Sequence, residues 1–154
     1  MKLKALLLAL CIGQAYGTNC TQLVFSANPN YPPFHWSERG QLVGASIELT
    51  ERIFKELGVR AEPRYLGPWN RVLRAAEEGQ LDLVVALKIT PEREAFLAFT
   101  PARFSSNPMA VFVARARPLK FEVPEDLVGK RGGRSAGDRF GDAFDRLAEK
   151  LLTI

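Results

Sequence analysis

Leu81-Asp82-Leu83-Val84-Val85-Ala86-Leu87 is a near-continuous apolar run of strand length. A strand covered by helices on both faces reads this way, whereas a half-exposed strand alternates. Two strand–helix units precede it. Leu23-Val24-Phe25 is a short apolar strand, closed by the turn-rich Asn28-Pro29-Asn30-Tyr31-Pro32-Pro33. Glu38-Arg39-Gly40-Gln41 is a turn between short extended pieces. Ser46 is placed to cap a helix whose apolar positions Leu49, Ile53, Phe54 and Leu57 recur at helical spacing, with Gly58 as its stop. Residues 59–66 read as a second strand. Gly67-Pro68 opens a second helix with the apolar face Trp69, Val72, Leu73 and Ala76, ended by Gly79. The β-α-β-α-β order predicts an α/β fold. Its sheet is open and mostly parallel, with right-handed crossovers, helices on both faces and residues 83–85 in the central strand.

Beyond this unit the pattern thins. Residues 109–114 read as a further strand, and Arg115-Ala116-Arg117-Pro118 as a polar connector at a lobe boundary. Pro124-Glu125-Asp126-Leu127 is a short helical turn, and Phe140, Phe144, Leu147 and Leu151 form a helical stripe. Residues 116–154 supply one helix and at most one strand, too little to enclose a core. The division expected is therefore a leader at 1–17, a first lobe at 18–115 and the start of an incomplete second lobe at 116–154, as in a truncated chain.

The N-terminus has the form of a cleaved export signal. Lys2 and Lys4 are followed by the apolar run Ala5 to Ile12 and by Ala15-Tyr16-Gly17. That run is far shorter than the ~20 apolar residues a bilayer span needs. Cleavage before Thr18 removes two of the four excess positive charges of a chain whose net charge is +4. The remaining basic residues are scattered, so the charge is weak evidence for a nucleic-acid partner and none is expected. One His and two Cys exclude a metal site on the usual zinc-ligand spacings. After cleavage only Cys20 remains. It is either a small residue packed at a strand start or half of a disulfide whose partner lies outside this sequence.

In an open parallel sheet, ligands bind beyond the carboxyl ends of the strands. Three segments lie there: 28–36, 67–70 and 88–93. They offer Tyr31, Phe34, Trp69, Lys88, Thr90 and Arg93. Aromatic faces with cations and a hydroxyl suit a small polar organic anion, and Arg93 can hold a carboxylate through two bonds. His35 has no evident nucleophile partner, so no catalytic residue is assigned and the chain is read as a binding protein without a cofactor.

Five motifs in order carry a family resemblance: Tyr31-Pro32-Pro33-Phe34, Gly40-Gln41-Leu42-Val43-Gly44, Gly79-Gln80-Leu81-Asp82-Leu83-Val84, Ile89-Thr90-Pro91-Glu92-Arg93 and Phe99-Thr100-Pro101. From about residue 23 to 140 the chain resembles the periplasmic solute-binding proteins of ABC importers, in the polar amino acid family. The resemblance implies a two-lobed fold closing about a hinge near residues 113–117. It implies a monomer in the periplasm that delivers an amino acid to an inner-membrane ABC permease. It also implies that Tyr31 and Trp69 sandwich the ligand, that Arg93 and Thr90 take its carboxylate, and that Asn28 lies near the site. Lys88 replaces the family's usual small residue and points to a more anionic ligand. Gly137-Asp138-Arg139 replaces its anion-binding loop. The alternative functions are a sensor domain of a membrane signalling protein and a periplasmic dehydratase on the same fold.

Overall fold

The computed structural model describes residues 20–106 and 108–151; the export signal read at 1–17 lies outside them. Two sheets organise the chain. The first joins β1 (Gln22–Ser26), β5 (Arg60–Pro63) and β6 (Leu83–Val84), all parallel, in the order β5-β1-β6. The second is a small antiparallel meander of β2 (Asn30–Tyr31), β3 (His35–Glu38) and β4 (Gln41–Val43). Helix α1 (Ala45–Glu56) links the meander to β5, and α2 (Trp69–Glu77) links β5 to β6. A short α3 (Pro91–Glu94), a 3-10 turn at Pro124–Leu127 and α4 (Asp142–Leu151) complete the elements.

The pleat of β1 explains the layering. Leu23, Phe25 and Ala27 point to one face, where they pack with Ile47 of α1, Leu42 and Val85. Val24 points to the other, against the group formed by Trp69, Val72, Ala75, Ala76 and Leu81 around α2. Alternate residues of the third strand region divide likewise, Leu83 and Val85 to the first face and Val84 and Leu87 to the second. The apolar run is thus covered on both faces, as expected. Its position differs from expectation: β1 is the central strand, and β6 lies at the end of the described sheet.

Three other expectations are corrected. Ser46 does not cap α1. Gly44 does, at φ 115°, and a Cβ there would stand 2.7 Å from the Phe34 carbonyl oxygen, so only glycine fits. Second, the inward face of α1 is Ser46, Ile47 and Thr50, whereas Leu49, Ile53 and Leu57 face outward. The Ser46 hydroxyl is consumed by packing against the meander: it donates to the Phe34 carbonyl at 2.9 Å, and Thr50 donates to the Ser46 carbonyl at 2.7 Å. Third, residues 109–114 pair with no described strand and their side chains are exposed. Near the C-terminal end, Phe140 precedes α4 rather than lying in it, and Phe140, Phe144 and Leu147 are half-buried.

Phe25 is fully buried and Phe112 is 93% exposed. Phe25→Ala is expected to cost about 3–5 kcal/mol of folding stability through cavity formation, and Phe112→Ala under about 0.5 kcal/mol. Urea unfolding of both variants checks the pair.

Candidate functional site

Sequence order 1-5-6 becomes spatial order 5-1-6, so the winding direction reverses between β1 and β6. Chain segments leave the carboxyl ends of those two strands in opposite directions and open a crevice. A cavity of about 80 Å³ lies there. Of the six residues expected at the site, Asn28, Tyr31, Trp69, Lys88 and Arg93 line it. Asn28 comes from the exit of β1, Tyr31 from β2, Trp69 from the first turn of α2, and Lys88 and Arg93 from the segment that follows β6.

Thr90 is placed differently. It is buried and caps α3, its hydroxyl accepting from the Arg93 amide at 3.4 Å. It sets the position of Arg93 and is not among the lining residues.

Arg93 is 6% exposed. Its two terminal nitrogens donate to carbonyl oxygens, Nη1 to Lys88 at 2.9 Å and Nη2 to Gly137 at 3.0 Å. Its guanidinium carbon stands 5.7 Å from the Trp69 ring centroid, a cation–π arrangement. Burial lowers the Arg93 pKa, nearby Arg139 adds to that, and Asp138, Glu92 and Asp145 oppose it. Burial also lowers the pKa of Lys88, with Asp145 and Asp138 pulling the other way. Lys88 Nζ lies 3.0 Å from the Met109 sulfur. The Arg93 guanidinium stays charged, so the cavity favours negative charge.

Sequence reasoning left three lining residues with chemistry of their own outside the site: His35, Asp138 and the cation Arg139. His35 is 1% exposed and stacks on Tyr31 with centroids 5.5 Å apart. Its Nδ1 lies 2.8 Å from the Ser46 hydroxyl oxygen. Since that hydroxyl already donates to Phe34, it accepts from Nδ1–H, which places the histidine's proton on Nδ1. The pair therefore does not activate a serine nucleophile. Asp138 is the second, accepting from Asn28 Nδ2 at 3.3 Å across 110 residues of sequence. Burial raises its pKa; a Ser135 hydrogen bond and the cations Arg93, Arg134 and Lys88 oppose that rise. Among the described residues no group of three or more His, Cys, Asp or Glu side chains is placed to hold a metal ion.

A profile of the bacterial extracellular solute-binding proteins, family 3, matches residues 23–150. The arginine-binding extracellular protein ArtP of Bacillus subtilis (strain 168) is 27% identical over 117 residues, 75% of this chain and 44% of that protein. The L-cystine-binding protein TcyJ of Escherichia coli (strain K12) is 28% identical over 123 residues, 77% of this chain and 44% of that protein. A solved structure, an ancestral arginine-binding protein bound to arginine, superposes with a TM-score of 0.64 at 26% identity, over 86% of this chain and 60% of the other. The chain thus spans less than half the length of these two curated relatives.

Burial holds the His35 pKa at about 4, against 6.5 in an exposed histidine. The unfolded chain therefore binds a proton near pH 6.5 that the folded chain refuses until about pH 4. The neutral ring costs the fold nothing above that upper value. Stability is expected to fall by roughly 2–3 kcal/mol as pH drops from 6.5 to 4, then level off for this group. Urea unfolding at pH 7, 5.5 and 4.5 checks it, with His35→Gln expected to show a shallower slope across that window.

Proposed function

We propose a function from one premise: this chain belongs to the bacterial extracellular solute-binding proteins, family 3. Its parallel sheet with helices on both faces is a lobe of the periplasmic binding protein type. It binds a small carboxylate-bearing solute, an amino acid, after export to the periplasm. It hands that solute to an ABC permease in the inner membrane. The observation that carries the reading is Arg93, a buried cation stacked on Trp69 at the switch point of the sheet. A desolvated guanidinium on an aromatic face is a costly arrangement that a ligand carboxylate repays with paired, charge-assisted bonds. Tyr31 and Trp69 pack on the ligand's carbon skeleton, Asn28 is a polar contact near the site, and Thr90 holds Arg93 in place. The relatives support the class of ligand, since one is named for arginine and the other for cystine.

The charge of the cavity narrows the class. Lys88, Arg93 and Arg139 line it, against one carboxylate from Asp138. A second positive charge on the ligand would meet Lys88 and Arg139 in a partly desolvated space. An acidic or neutral amino acid is therefore preferred to arginine. Binding rather than turnover is the reading, because the buried hydroxyl nearest His35 is committed to a carbonyl.

Calorimetric titration with L-glutamate, L-glutamine and L-arginine tests this. Arg93→Ala is expected to weaken the tightest of the three by more than ~2 kcal/mol, and Lys88→Ser to cost L-glutamate more than L-glutamine. Unchanged binding by Arg93→Ala, or a best ligand without a carboxylate, overturns the assignment.

A further inference from the structure

The cavity holds about 80 Å³, whereas sites for small organic ligands run to roughly 300–1,000 Å³. What fills the difference is visible. Asp138, Arg139 and Phe140 also line the cavity. The Gly137 carbonyl oxygen, one residue earlier, receives two donors: Trp69 Nε1–H at 3.2 Å and Arg93 Nη2–H at 3.0 Å. Gly137 sits at φ 83°, and a Cβ there would come within 3.1 Å of Trp69 Cδ1 and 3.5 Å of Leu73 Cδ1. The left-handed backbone favours glycine, and any Cβ would press on the Trp69 ring. Beside it the Asp138 carboxylate takes the Asn28 amide at 3.3 Å.

The segment is compact and anchored at both ends. The Asp138 amide donates to the Ser135 carbonyl at 3.2 Å, closing a turn. Downstream, the Asp145 carboxylate accepts from the Phe140 and Gly141 amides at 3.0 and 3.1 Å. Undocking the turn therefore breaks three named contacts, those of Gly137 with Trp69 and Arg93 and of Asp138 with Asn28, and leaves the anchors intact.

The consequence for Arg93 is direct. Its Nη1 serves the Lys88 carbonyl and its Nη2 serves Gly137. Each terminal nitrogen keeps a second N–H, but the Gly137 oxygen holds one of the Nη2 donors and the space beside it, so an incoming carboxylate competes with it there. We propose that residues 135–140 form a strap that occupies the anion site of the free protein, the Gly137 carbonyl standing in for a ligand oxygen and Asp138 supplying the local negative charge, so that ligand must displace it to bind. This rests on the amino acid-binding reading above and sets its threshold. A competitor held within the chain raises the apparent dissociation constant of every displacing ligand by the same factor. Only ligands whose charge-assisted bonds outweigh a neutral carbonyl remain bound at working concentrations.

The test uses the full chain in a Trp36→Phe background, which leaves Trp69 as the sole tryptophan of the two in the sequence. Gly137→Ala and Asp138→Ala are compared with their parent by acrylamide quenching without ligand and by titration with L-glutamate and its α-amide, L-isoglutamine. Both variants are expected to raise the quenching of Trp69. Gly137→Ala is expected to tighten both probes by the same factor, about tenfold, leaving their ratio unchanged. Quenching unchanged in both variants overturns the strap, and so does L-glutamate binding that weakens or stays as in the parent when quenching rises. If quenching rises but none of the three chains binds either probe, the amino acid reading fails and the competition falls with it. If the parent binds L-glutamate while the variants alter nothing, the strap fails alone.

Discussion

The parallel sheet hangs on β1. Its register is pinned from both sides. On one edge Arg60 N–H donates to the Thr21 carbonyl and Arg64 N–H to Phe25, both at 2.8 Å. On the other, Asp82 and Val24 are joined twice: the Asp82 amide donates to the Val24 carbonyl at 2.9 Å, and the Val24 amide donates to the Asp82 carboxylate at 2.7 Å. A slip of one residue would break this reciprocal pair and exchange the α1 face for the α2 face, so the register has no near-degenerate alternative. Ser26, whose hydroxyl donates to the Arg64 carbonyl at 2.7 Å, fixes the carboxyl end. Asn28, two residues on, lines the crevice from a backbone that cannot move independently of the sheet. A site built on such strand ends inherits their rigidity.

Against that frame stands an electrostatic cost. Among the described residues no carboxylate lies within 4 Å of the Arg93 guanidinium, although it is almost wholly buried. Its charge is offset by two carbonyl dipoles, the face of Trp69 and the more distant carboxylates of Asp138, Glu92 and Asp145. The arrangement satisfies the donors without neutralising the charge. That is the state a site needs if an incoming anion is to gain more from Arg93 than the protein itself does.

Much of this was legible in sequence because it is local or periodic. Alternating strand and helix signals gave the parallel sheet, and the rule that ligands sit beyond strand ends gathered five residues that do line one cavity. The failures have physical causes. Of the apolar stripe Leu49, Ile53, Phe54 and Leu57, only Phe54 packs against the core, and α1 turns Ser46 and Thr50 inward in place of the other three. The meander presents the Phe34 carbonyl and the His35 imidazole there, where Ser46 both fits and bonds, and Thr50 bonds back to the Ser46 carbonyl of its own helix. Hydrophobic spacing carries no information about a polar partner of that kind. Residues 109–114 have strand composition, but a strand is a relation between two segments, and none of the described strands pairs with them. Nor could Asp138 be joined to Asn28, since a contact across 110 residues leaves no periodic trace.

The Gly137 turn and the buried Arg93 explain each other. An open crevice would leave the Trp69 N–H and one guanidinium nitrogen to be satisfied by water in a narrow apolar-walled space, which holds the side chains less firmly than a fixed acceptor does. A docked carbonyl supplies that acceptor and keeps the rings and the guanidinium in the geometry a carboxylate needs. Affinity given up to internal competition is thus returned in part as pre-organisation, since the ligand arrives at donors already aimed. A charged residue at position 137 could not serve both ends. Its backbone would be strained at φ 83° with a Cβ pressing on Trp69, and an anionic side chain reaching Arg93 would bind too well to be displaced. A neutral backbone oxygen on a glycine is the weakest acceptor that still orders the site, and for that reason the easiest for a carboxylate to replace.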